Sequence, residues 1–168
     1  MTTETVDQYK ARILSNTDGK DPLEVQRKTS SLLSSLMKGR DADSLRRNPQ
    51  PGKWSVAQIV THLAESEVVA FWRYRQMLES SGGNILPYDQ DVWETLGDYA
   101  QADPHASIEL FRLLRERNLQ LLDSLTLEQW EMYGIHAERG KESVRHLARM
   151  MAGHDVNHLE QVRRILGK

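Results

Sequence analysis

The sequence predicts an all-α fold, a four-helix bundle with short extra helices in its connections. Three observations predict it. Apolar residues recur at helical spacing in four long stretches, breaks built from proline, glycine and aspartate separate them, and strand signals are nearly absent, with no Asn-Gly hairpin and no sustained β-branched alternation. At 168 residues the chain reads as one domain, 1–168, large enough to bury a core without disulfides.

Thr5 to Ser15 predicts a short leading helix, closed by the turn cluster from Asn16 to Asp21. Asp21 then caps a helix that begins at Pro22, where a missing N–H costs nothing, and runs to about Lys38 before Gly39 stops it. Its buried face is narrow, with Leu23, Leu32, Leu33 and Leu36 flanked by Val25 and Met37. The charges Lys38, Arg40, Arg46, Arg47 and Lys53, diluted by Asp41 and Asp43, read as a solvated loop, and Asn48 to Gly52 as a rigid connector. Trp54 and Ser55 supply a staple and an N-cap for the second long helix. Its stripe of Val56, Ile59, Val60, Leu63, Ala70, Phe71, Tyr74, Met77 and Leu78 extends to Gly82-Gly83.

Leu86 to Asp98 predicts a loop with one or two helical turns. Asp103 caps a third long helix carrying Ile108, Phe111, Leu114, Leu121, Leu122 and Leu125. Thr126 to Gln129 is a capping box that opens a short turn ending near Gly134, and Ile135 to Lys141 reads as a polar loop. The last helix presents Val144, Leu147, Met151 and Ile165, and the same seam passes through His154 and His158.

Composition removes several function classes. With 22 basic and 24 acidic side chains the net charge is −2, which argues against nucleic acid as partner, because neutralising many phosphates takes a basic excess. No run of 18 apolar residues exists to span a membrane, and Met1 to Asp7 lacks the basic and apolar regions of a signal peptide, so a cytoplasmic protein is expected. Zero cysteines exclude thiolate ligands and a cysteine nucleophile, leaving imidazole and oxygen to hold any metal.

His154 and His158 stand four residues apart on an apolar helix face, a spacing that grips one ion. Alone, an H-x-x-x-H pair is a weak motif, and such histidines are commonly satisfied by hydrogen bonds. The seam position favours a metal, since two buried imidazoles would otherwise carry donors in need of partners. No glutamate lies between them as in H-E-x-x-H proteases. His62, from the middle of the second long helix, is the third candidate, and three histidines leave coordination positions open, as in catalytic zinc. Unperturbed imidazoles would lose their metal as pH falls through about 6.5.

Pro51 to Glu67, Tyr88 to Trp93 and Gly153 to Gln161 together resemble the DinB/YfiT-like metalloenzyme superfamily, through the ordered set Trp-Ser, His-Leu-x-x-x-Glu and His-Asp-x-x-His. The resemblance spans nearly the whole chain. It implies an up-up-down-down bundle, a homodimer, and a divalent ion, zinc or nickel, on His62, His154 and His158. It also implies a small-molecule substrate. Characterised relatives include transferases and isomerases that use low-molecular-weight thiols such as bacillithiol or mycothiol, and the bundle occurs in ergothioneine-synthesis enzymes.

The expectation is therefore a metal-dependent enzyme that activates a low-molecular-weight thiol for S-transfer to a small electrophile. The alternatives are a metal-dependent hydrolase, a metal or ligand sensor, and a dimeric interaction module. Glu65 and Asp155, with Gln161, are candidates to orient an imidazole through its other nitrogen. His146 fits the final helix less well than Leu147, His105 is expected in solvent, and His136 in a loop. Trp93 sits in an irregular segment suited to a substrate pocket; Arg73 and Arg75 read as exposed charges, or as an arginine that holds an acidic substrate.

Overall fold

The computed structural model describes residues 4–168. Met1, Thr2 and Thr3, part of the stretch on which the expected absence of a leader rests, lie outside the described residues. Chain order is α1 (Val6–Ser15), α2 (Pro22–Met37), α3 (Ala42–Arg46), α4 (Val56–Glu79), β1 (Asn84–Ile85), α5 (Gln90–Leu96), α6 (Pro104–Asp123), α7 (Leu127–Glu131), β2 (Tyr133–His136), β3 (Gly140–Ser143) and α8 (Val144–Leu166).

The predicted caps set the helix starts. Asp21 accepts from the amides of Leu23 and Glu24, Asp103 from those of His105 and Ala106, and Ser55 forms a reciprocal capping box with Gln58. Gly167 ends α8 in the left-handed region at φ 68°, which a side chain would resist.

The four long helices form the bundle. α4 packs on α6 and α8, and α2 on α6 and α8, which puts α2 opposite α4 and α6 opposite α8. Both α2→α4 and α6→α8 therefore cross a diagonal, the pair of crossovers that an up-up-down-down order needs. No helix among the described residues is long and apolar enough to cross a membrane.

The core is split by height. One apolar cluster gathers Leu33, Met37, Val56, Ile59, Val60, Leu63, Phe111 and Val162; the other gathers Ala70, Tyr74, Met77, Leu122, Val144 and Leu147. Between them runs a buried polar belt of Gln26, His62, Ser66, Glu67, Arg115, Asn118, Asp155 and His158. At its centre Arg115 donates to Asp155 at 2.5 and 2.9 Å, to Glu67 at 2.8 Å and to the Gln26 carbonyl at 3.0 Å. All four long helices thus meet at one guanidinium.

Two segments differ from expectation. The charged stretch after Lys38 contains α3, capped by Asp41 and anchored by the fully buried Leu45. Ile135 to Lys141 is not simply a polar loop: β2 and β3 form an antiparallel hairpin, and β1 adds to β2 in parallel. The strands are two to four residues long, too short for alternation to show, and their pairing partner at Asn84–Ile85 is distant in sequence.

α1 docks on α8 at Gly153, where an added Cβ would meet the Ile13 carbonyl oxygen at 2.0 Å. This close approach brings Tyr9 and Arg12 to the rim of the cleft described next.

Candidate metal centre

The polar belt carries the three histidines. α4 supplies His62 and α8 supplies His154 and His158, one turn apart on the face turned to α4. His154 Nε2 stands 3.0 Å from His62 Nε2 and 3.0 Å from His158 Nε2, and one ring nitrogen of each lies within 4.8 Å of the others.

Hydrogen bonding alone leaves this cluster poorly satisfied. His158 Nδ1 lies 2.7 Å from Gln161 Oε1, so Nδ1 donates and Nε2 is left as a bare lone pair. One proton on His154 Nε2 can serve only one of its two Nε2 neighbours, and His154 Nδ1 is sealed from solvent without a partner. A shared cation resolves the crowding. Nitrogens held at about 2.05 Å from one ion stand about 2.9 Å apart at a right angle and about 3.3 Å apart at a tetrahedral angle, and 3.0 Å falls between.

Burial also holds the rings in the form that binds metal. It pushes His62 down to about 3, helped by His158, and keeps His154 well below the ordinary value. It pushes His158 down to about 4 against the opposing Gln161 hydrogen bond. All three are neutral at pH 7.

The proposed orienting groups separate. Gln161 does bond His158, but neither carboxylate contacts an imidazole. Asp155 faces about 100° away from His154 around the helix and binds Arg115, while Glu65 accepts the Tyr99 hydroxyl. Sequence reasoning missed Ser66, one turn after His62: its hydroxyl lies 3.5 Å from His62 Nε2 and 3.3 Å from the Tyr88 hydroxyl. The i, i+4 spacing on one face was the available signal. Trp93 packs on Tyr88 at 4.8 Å between ring centroids, and Trp54 on His62 at 5.2 Å. His105 is exposed as expected; His136 is buried rather than solvated, 1% exposed in β2. Arg73 is also buried instead of exposed, and Arg75 is half-buried against Phe71.

Two cavities meet at His154. An outer cleft of about 670 Å³ is bordered by Trp54, Lys53, Arg12, His158, Gln161 and Arg164. On the other side lies a recess of about 90 Å³ bordered by Tyr9, Ser66, Arg73, Tyr88 and Arg139. His154 and His158 thus border a cleft large enough for a small molecule.

Comparison with known proteins follows the same lines. A family model described as the DinB superfamily matches residues 24–162. "Putative metal-dependent hydrolase YfiT" of Bacillus subtilis is 27% identical over 167 residues, 96% of this chain and 94% of its own. A protein of Oceanobacillus iheyensis with the same description is 28% identical over 131 residues, 78% of this chain and 76% of its own. The solved structure of YfiT, described as a probable metal-dependent hydrolase with an unusual four-helix bundle topology, superposes with a TM-score of 0.77 at 23% identity, covering 99% of this chain and 92% of that one.

Proposed function

The chain belongs to the DinB superfamily, and from that premise we propose that it is a metal-dependent hydrolase whose divalent ion, zinc or nickel, is held by His62, His154 and His158. The convergence of three uncharged ring nitrogens, two pairs at 3.0 Å, where two cavities meet carries this reading. Hydrolysis is placed ahead of thiol transfer because the relatives in Bacillus subtilis and Oceanobacillus iheyensis carry that name.

A divalent ion bound there supplies Lewis-acid polarisation and acidifies water. The chain's own residues prepare the rest. With only three protein ligands, an ion held by them would keep coordination positions open for water or substrate. Gln161 fixes His158 with its Nδ1 protonated and its Nε2 free. Ser66 and Tyr88 present hydroxyls on the recess side, where they can hold a polar group of a substrate close to His62. Trp54, packed on the His62 ring, lines the cleft and keeps that side of the imidazole dry.

Elemental mass spectrometry on untagged protein tests the centre. The parent is expected to carry near-stoichiometric metal, and His62→Ala and His158→Ala to lose it. A parent that is metal-free and fails to bind added zinc or nickel refutes the reading. With the centre established, turnover of activated esters and amides without added thiol separates hydrolysis from S-transfer.

A further inference from the structure

Two arginines are buried among the described residues, Arg115 at 1% and Arg73 at 5% exposure, and the fold treats them differently. Arg115 is matched by two carboxylates. Arg73 has no carboxylate within ion-pair distance among the described residues. Its Nη2 donates to the Leu86 carbonyl at 2.8 Å and faces His136 Nε2 at 3.3 Å, while Nε and Nη1 have no protein partner. Even the histidine contact is contested: a neutral ring accepts at one nitrogen, and the Glu138 amide approaches its Nδ1 at 3.2 Å. Unlike Arg115 Nε, Arg73 Nε and Nη1 are not sealed from solvent, so an anion entering from outside can reach a permanent charge that no protein carboxylate neutralises.

Arg73 borders the recess that His154 and Ser66 also border. It lies eleven residues after His62, about 16 Å of helix rise, and long helical side chains lean back towards the N-terminus. The Arg73 guanidinium carbon sits 5.9 Å from the Tyr88 ring centre, and the Tyr88 hydroxyl leads through Ser66 to His62. Among the other charges nearby, Arg139 is held bidentate by Glu142, Lys10 donates to the Arg139 carbonyl, and Glu138 lies on the hairpin turn. The free charge facing the recess is therefore positive. At about 90 Å³ the recess has room for a carboxylate.

We propose that the recess is an anion seat: the substrate carries a terminal carboxylate that Arg73 binds while its reactive carbonyl lies at the histidine triad. This rests on the hydrolase reading for the reacting end only. The seat itself is tested on metal-free protein, where no carboxylate can bind an ion.

Isothermal titration calorimetry of chelator-treated protein compares glutarate with its neutral diamide, glutaramide. Glutarate is expected to bind the parent measurably and glutaramide not at all. Arg73→Gln is expected to weaken glutarate at least about 10-fold, and Arg73→Lys to retain part of the affinity. Equal binding of glutarate and glutaramide by the parent overturns the proposal, and needs no variant to fold. Unchanged glutarate affinity in folded Arg73→Gln also overturns it, by placing the anion on the exposed Arg12, Lys53 and Arg164 of the outer cleft. Metal content and ester turnover are measured separately, so loss of the hydrolase reading and loss of the anion seat are distinct results.

Discussion

Acid should unfold the metal-free protein before it protonates the folded site. In the unfolded chain each histidine titrates near 6.5, whereas burial holds His62 to about 3, His158 to about 4 and His154 well below its ordinary value. Between pH 6 and 5 the unfolded state takes up nearly one proton at each of these residues that the folded state refuses. Stability therefore rises with pH in this window and is lost as pH falls below the unfolded value. Each residue contributes about 1.4 kcal/mol per pH unit, and the three together roughly 4 kcal/mol. Over two units that is a large share of the roughly 5–15 kcal/mol by which such a domain is stable. Burial pushes the Asp155 carboxyl up against the pull of Arg115, which offsets part of this slope, and His136, held down to about 4, adds to it. Urea unfolding of chelator-treated protein at pH 7.0, 6.0 and 5.0 gives the slope, provided the dependence on denaturant stays constant. A slope below about 1.4 kcal/mol per pH unit refutes the reasoning, since it requires the imidazoles to titrate while folded. The sequence leads one to expect metal affinity to fall as pH drops through and below about 6.5; with the rings held neutral by burial, that fall is expected at lower pH.

Three further outcomes follow from named contacts. Gln161→Leu should weaken zinc binding about 10- to 100-fold in competition with a chromogenic chelator, because the His158 tautomer is no longer held; unchanged affinity removes that role. Arg115→Met strands Glu67 and Asp155 in the core and should cost about 3–5 kcal/mol by urea unfolding at pH 7. Gly153→Ala drives a methyl group into the Ile13 carbonyl and should cost about 1–3 kcal/mol, with proteolysis between α1 and α2 faster than in the parent.

Much of this was legible in one chain. The caps at Asp21, Ser55, Asp103 and Thr126 are local chemistry, and each sits where its side chain predicts. His154 and His158 were found because four residues on an apolar seam is a short-range pattern. What stayed hidden depends on partners far along the chain. Asp155 was expected to face an imidazole because it adjoins His154, yet helical geometry turns it towards Arg115, forty positions away. Arg73 reads from sequence either as an exposed charge or as an arginine that holds an acidic substrate, and its burial emerges only once the segment from Leu86 and the β2–β3 hairpin cover it. The hairpin escaped for the same reason, since β1 and β2 are joined by a pairing that no local pattern encodes.

The guanidinium at the crossing of α2, α4, α6 and α8 also governs how faithfully the histidines are delivered. Apolar helix faces slide and rotate at little cost, because one leucine replaces another. Arg115 accepts no such substitute: its partners on three other helices must arrive together. Asp155 directly follows His154, so the rotation of α8 that brings the carboxylate to Arg115 also turns His154 and His158 towards His62. A one-residue error in the setting of α8 would break the ion cluster and scatter the imidazoles at once. The belt thus works as an alignment gauge, admitting only the assembly in which the reactive centre is already in register.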